Sequence, residues 1–226
     1  MWDIVEVVNE AVLVIDAAEA ERLWLVRACR RAKFKVIEAT DAIEGLFETL
    51  ERNPDLILLA EEVPPMRAGD ILPLLRRLTS APILIVGGGG DPEEIAAVDL
   101  GADIYLRRPF SARALVARAH AVLRRYRGSL ASDSIVSRIR DCLPRLSPTE
   151  KRLLACLMLH NGRPVSAADL SREAYGGTTT AGAVKMALWR LRHKLGACGL
   201  TMVAHLGVGY RLVMEEGEYV SAQKAS

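Results

Sequence analysis

Long apolar runs are missing from this sequence: none reaches the roughly 18 residues of a membrane span. The opening Met1-Trp2-Asp3-Ile4-Val5-Glu6 lacks the basic start and small-residue cleavage site of a secretory signal. These absences lead us to expect a cytoplasmic protein with no membrane partner. Cysteine is sparse and scattered. Cys29, Cys142, Cys156 and Cys198 form no Cys-x-x-Cys pair, which argues against a zinc site and suits small buried thiols in a reducing compartment. No cluster combines a nucleophile, a base and an oxyanion site, so no enzyme, no catalytic residue, no metal and no cofactor is expected. Half of the residues are hydrophobic, which excludes extended disorder.

A chain of 226 residues suffices for two domains with separate cores. Charge divides along it. Residues 1–128 carry 17 Lys and Arg against 20 Asp and Glu, a net of −3, and residues 129–226 carry 13 against 8, a net of +5. A basic half joined to an acidic one fits a polyanion-binding domain under a regulatory domain.

In the first half, Ala11-Val12-Leu13-Val14-Ile15, Leu56-Ile57-Leu58-Leu59-Ala60 and Pro82-Ile83-Leu84-Ile85-Val86 are short and continuously apolar. Such runs suit strands buried on both faces of a parallel sheet. Helix-length segments lie between them, at 19–32 and 42–52, and weaker strands at 35–38 and 104–107 bring the count to five. The last helix is predicted over 112–126. The pattern predicts a doubly wound, flavodoxin-like α/β domain, with Asp16, Ala60, Gly87 and Arg108 at the carboxyl ends of the strands, where such sheets bind ligands.

This order of elements, with Gly101-Ala102-Asp103-Ile104-Tyr105-Leu106-Arg107-Arg108-Pro109-Phe110 late in the domain, resembles the receiver of two-component response regulators over residues 11–126. The resemblance implies a phospho-acceptor aspartate at the end of the third strand, and Ala60 stands there. Of the acidic pair after the first strand Asp16 remains, while the second position is Ala17. The hydroxyl position is Gly87 and the lysine position Arg108. Conventional aspartyl phosphorylation is therefore not expected, since a divalent cation needs several oxygen ligands. Glu61 and Glu62 follow the acceptor position and are candidates for partial substitution. Tyr105 holds the family's aromatic switch position, with core packing as its plainer role. The run Gly87-Gly88-Gly89-Gly90 before Asp91-Pro92 reads either as an anion cradle at a helix start or as a loop filling vacated space; the acidic first turn favours the second. Asp91 is read as the helix cap.

In the second half, Ile135, Ile139 and Leu143 predict a helix over 134–143. Ser147-Pro148-Thr149-Glu150 reads as a capping box opening a helix over 148–160, and Ser166 caps a shorter one over 167–174. A long helix follows over 181–195, with Val184, Leu188, Leu191 and Leu195 inward. Residues 202–205 and 210–213 then read as a hairpin. Three helices and a hairpin make a winged helix. Arg190-Leu191-Arg192-His193-Lys194-Leu195-Gly196 with Gly207-Val208-Gly209-Tyr210-Arg211-Leu212 resembles the effector domain of the OmpR/PhoB response regulators over residues 146–213. The domains are read as 1–127 receiver-like, 128–146 linker and short helix, and 147–226 winged helix.

The resemblance implies double-stranded DNA as partner, with Arg190 and Lys185 toward bases and Arg192, Lys194 and Tyr210 toward phosphates; His205 sits beside the hairpin tip, Leu206. It also implies a homodimer through the fourth helix, fifth strand and fifth helix, where Ile95, Val98, Ile104, Ala117 and Arg118 stand. The expected function is a transcription regulator acting independently of phosphorylation. The alternative is a module whose receiver-like domain binds RNA polymerase or a signalling protein.

Overall fold

The computed structural model describes residues 10–126, 134–160, 162–205 and 207–213. The chain forms two compact units, Met1–Ala131 and Ser132–Ser226.

The first unit runs β1 (Ala11–Ile15), α1 (Glu19–Arg31), β2 (Lys35–Ala39), α2 (Ala42–Arg52), β3 (Leu56–Ala60), a two-residue ladder of β4 (Glu62–Val63) and β5 (Met66–Arg67), α3 (Ala68–Leu78), β6 (Ile83–Gly87), α4 (Asp91–Asp99), β7 (Ile104–Arg107) and α5 (Ala112–Tyr126). Five strands form one parallel sheet in the order β2-β1-β3-β6-β7, with the reversal at β1/β3 that defines a ligand crevice in doubly wound folds. Every residue of β3 and β6 is buried, because helices cover both faces of the sheet. One core cluster joins Val12, Val14, Leu56, Leu58, Leu84, Val86 and Leu106 to Leu25, Val26 and Cys29 of α1 and to Leu115, Ala119 and Val122 of α5. The alternate residues Leu13, Ile15, Ile57, Leu59 and Ile85 are buried on the opposite face, as the two-residue period of a strand requires.

The second unit runs α6 (Ser134–Cys142), a 3-10 turn (Leu143–Arg145), α7 (Pro148–Leu159), α8 (Ala167–Tyr175), α9 (Ala181–Ala197), β8 (Met202–His205) and β9 (Gly209–Leu212). Ser147 Oγ accepts from the Glu150 amide while Glu150 accepts from the Ser147 amide, so the capping box forms. Ser166 caps α8 and Thr180 caps α9. The helix expected at 134–143 carries core residues of this unit: Val136, Ile139, Cys142 and Leu143 are buried. Arg138 donates to the Gly199 carbonyl (2.9 Å), and Cys142 Sγ lies 3.7 Å from the Lys194 carbonyl oxygen. α6 thus closes the core beside the end of α9.

The hairpin is antiparallel, and Tyr210 also bridges to Val165. Gly209 makes this possible. Its φ is +149°, and a Cβ there would lie 2.1 Å from the Val165 carbonyl oxygen, so only glycine fits. Cys29, Cys142 and Cys156 are buried and Cys198 is half-buried; burial pushes the Cys29 thiol up to about 11.

Candidate functional site

At the carboxyl ends of the strands the side chains fall into two groups. Asp16 is buried at the end of β1, and burial raises its pKa, opposed by the Ala18 amide and Arg108. Its Oδ1 accepts from the Ala18 amide at 2.9 Å, while its Oδ2 has no hydrogen bond and faces the Arg108 guanidinium at 3.8 Å. Arg108 is in turn ion-paired with Glu21 and lies 5.8 Å from the centre of the Phe110 ring. Ala17 and Ala60 offer only methyl groups.

The other group is built around Glu61. Its side chain turns across the mouth of β6: Oε2 accepts from the Gly88 amide at 2.9 Å, and Oε1 accepts from the Tyr105 hydroxyl at 2.5 Å. Tyr105 is buried, and its hydroxyl oxygen accepts from the Gly89 amide at 2.9 Å. Burial, with the bond to Glu61, pushes its phenol up to about 12. Gly87 is what admits this carboxylate. A Cβ at Gly87 would lie 2.2 Å from Glu61 Cδ and 2.4 Å from the Tyr105 oxygen. The glycine run is therefore no anion cradle: Glu61, Tyr105 and Glu93 already accept from the amides of Gly88, Gly89 and Gly90. Gly90 is the N-cap residue and Asp91 the first helical residue, so the expected Asp91 cap is corrected. Glu93, one turn in, satisfies the Gly90 amide, which leaves Asp91 free to pair with Arg107.

On the surface of α4, Ile95 and Val98 are 60% and 51% exposed, and Ala117 and Arg118 of α5 are exposed as well. Ile104 is half-buried against the α1–α5 side of the core, so only part of it remains for this surface. Arg107, which sequence reasoning passed over, ties β7 to Asp91 and Glu94 of α4 at 2.6 and 3.0 Å.

In the second unit, Lys185, Arg190 and Arg192 are exposed on α9. Lys194 is differently placed. Its ammonium lies 2.6 Å from Glu150, which is 2% exposed, and Arg190 Nε lies 3.8 Å from the other oxygen of the same carboxylate. Burial opposes ionisation of Glu150, but Lys194 and Ser147 prevail and hold its carboxyl below the usual glutamate range. The expected phosphate role of Lys194 thus competes with an internal ion pair 44 positions away in sequence, which no local pattern reveals. His205 accepts from Arg211 Nε at 3.2 Å, and Tyr210 is half-buried on β9. Leu206 lies outside the described residues.

A receiver-type sheet followed by a winged helix with the basic helix α9 defines a class, the regulator that couples a signalling domain to a DNA-binding one. Comparison with known proteins agrees on both halves. The family "Response regulator receiver domain" matches residues 12–120, and "Transcriptional regulatory protein, C terminal" matches residues 133–212. The phosphate regulon transcriptional regulatory protein PhoB of Pseudomonas aeruginosa is 31% identical, over 90% of this chain and 97% of its own. The KDP operon transcriptional regulatory protein KdpE of Escherichia coli is 29% identical, over 90% and 99%. Among solved structures, a two-component response regulator from Clostridium difficile superposes with a TM-score of 0.51 at 23% identity, covering 54% of this chain and all of that one. The chain belongs to the OmpR/PhoB family of two-component response regulators. No described helix is long and apolar enough to cross a membrane.

Proposed function

We propose that this regulator binds double-stranded DNA without being switched by aspartyl phosphorylation. The observation that carries the proposal is Glu61: its carboxylate occupies the space beside Gly87 and binds Tyr105 and the Gly88 amide, next to an acceptor position held by Ala60. The Gly88 amide and the Tyr105 hydroxyl thus already hold an internal carboxylate. The residues present do not fit the divalent cation of the receiver family. Asp16 supplies one carboxylate with an arginine beside it, and among the described residues no three His, Cys, Asp or Glu side chains converge to hold a metal.

Lys185, Arg190 and Arg192 form the DNA-facing set, with Arg190 and Lys185 toward base edges, Arg190 being suited to guanine, and Arg192 toward phosphate. His205 and Tyr210 flank the hairpin as secondary contacts. The α4–β7–α5 surface, with Ile95 and Val98 exposed, serves a homodimer.

The test treats the full-length protein with acetyl phosphate and Mg²⁺, then measures its mass and its binding to genomic DNA fragments. Unchanged mass with selective, salt-sensitive binding supports the proposal. Acid-labile addition of a phosphoryl group that alters binding overturns it. Absence of DNA binding at low salt would move the function to a surface for RNA polymerase or a signalling protein.

A further inference from the structure

α9 buries Val184, Ala187, Leu188, Leu191 and Leu195, so the side opposite is fixed by helical geometry. Along its centre, at spacings of three and four, stand Met186, Trp189 and His193. Met186 is 56% and Trp189 58% exposed. The Trp189 and His193 rings meet edge to face with centroids 4.4 Å apart, which braces the indole against the helix. Lys185 and Arg192 project along one flank of this strip and Arg190 along the other, and α9 contains no Asp or Glu. The charges on both flanks suit the anionic walls and polar base edges of a groove, while the centre of the helix offers apolar surface. In the major groove the one apolar group presented by a standard base is the thymine methyl.

We infer that Trp189 and Met186 read thymine: they seat thymine methyl groups between the flanking basic contacts, giving this regulator a preference for thymine at defined positions. The inference rests on the DNA-binding reading and names what that site selects. A lone arginine, Arg190, then reads guanine, and the remainder of the selectivity comes from apolar contact rather than further hydrogen bonds. A solvent-exposed tryptophan on a helix without acidic residues has in this groove an occupant that matches both its charge surroundings and its chemistry.

The experiment selects bound duplexes from a randomised pool with the full-length protein, then remakes the selected site with deoxyuridine at each thymidine. Uracil differs from thymine by the methyl alone. At one or more positions the wild type is expected to lose about fourfold in affinity, the factor carried by one buried methyl. Trp189→Ala or Met186→Ala is expected to bind the thymidine and deoxyuridine duplexes alike. Both side chains are more than half exposed, so these variants keep the fold, and circular dichroism verifies it. Wild-type indifference to deoxyuridine, with salt-sensitive binding intact, overturns this inference and leaves the DNA reading standing. Equal discrimination in both variants also overturns it. If the wild type binds no duplex at low salt, the DNA reading falls and this inference with it.

Discussion

Replacing Gly87 by alanine tests the arrangement around Glu61 most directly. Gly87 is not in the left-handed region, so space alone decides the outcome. The new Cβ would lie 2.3 Å from Glu61 Oε2 and 2.4 Å from the Tyr105 oxygen. The carboxylate is the end of a flexible chain and can swing out, but it then gives up its bonds to the Gly88 amide and Tyr105. Bonds to a charged group contribute roughly 1.5–3 kcal/mol each when well shielded. Glu61 is half-exposed, so a combined cost of about 2 kcal/mol is expected. For a unit of this size that corresponds to a melting temperature lower by roughly 6–10 °C. The clash has two partners, so its relief should come in two steps: Glu61→Ala should remove part of the cost of Gly87→Ala, and Glu61→Ala with Tyr105→Phe should remove nearly all of it. Gly88→Ala is the control, because a Cβ there meets nothing within 4 Å. Thermal melts of the full-length variants, combined as mutant cycles, give the coupling. An equal cost of Gly87→Ala in all three backgrounds would refute the role assigned to Glu61.

Further outcomes concern the second unit and the proposed dimer surface. Lys194→Met leaves the buried Glu150 with the Ser147 amide and, for a cation, the more distant Arg190, and should cost about 1–3 kcal/mol, below the usual figure for breaking a buried pair because Lys194 is partly solvated. The folded Glu150 pKa lies below its ordinary value, so its contribution is present above the ordinary glutamate pKa and is lost as pH falls through the lowered one. Urea unfolding at a series of acidic pH values should show a shallower loss in Lys194→Met than in wild type. Arg192→Ala should weaken binding to all duplexes similarly and reduce the slope of log affinity against log salt by about 0.9, read by fluorescence anisotropy. Ile95→Glu should shift the protein toward monomer in sedimentation analysis, with little change in melting temperature because Ile95 is 60% exposed.

What could be read from the sequence was local. Ser147, Pro148 and Glu150 lie within one helical turn, and their capping geometry follows from spacing alone. The strands announced themselves because burial on both faces leaves no polar residue to interrupt Leu56–Ala60. The register of β3 against β6 pairs apolar residues throughout. Long-range polar pairs were invisible by the same logic. Glu61 and Tyr105 are 44 positions apart, and nothing at either residue indicates the other. In the sequence Gly87 reads as a missing hydroxyl, whereas its structural meaning lies in the side chain it admits. Lys194 was visible as a charge on a basic helix, but its partner sits inside a capping box on a different helix. Asp91 reads as the cap because aspartate favours that position, yet the chain enters the helix one residue earlier and Glu93 reaches back in its place.

The mutual fit of Gly87 and Glu61 has a historical consequence. A serine or threonine at position 87 collides with Glu61 as long as that carboxylate stays in place, and an aspartate at position 60 would have Ala17, not a second acidic residue, beside Asp16. Under the proposed function, each single step toward a phosphorylatable receiver is unrewarded until the others have occurred. On the proposed reading, the lineage carrying this pocket passed through a one-way gate: losing the chemistry could proceed gradually, while regaining it would demand several coordinated changes. Selection can then tune such a regulator through its abundance, its dimer surface or its DNA face, but no longer through the reaction its fold was built around.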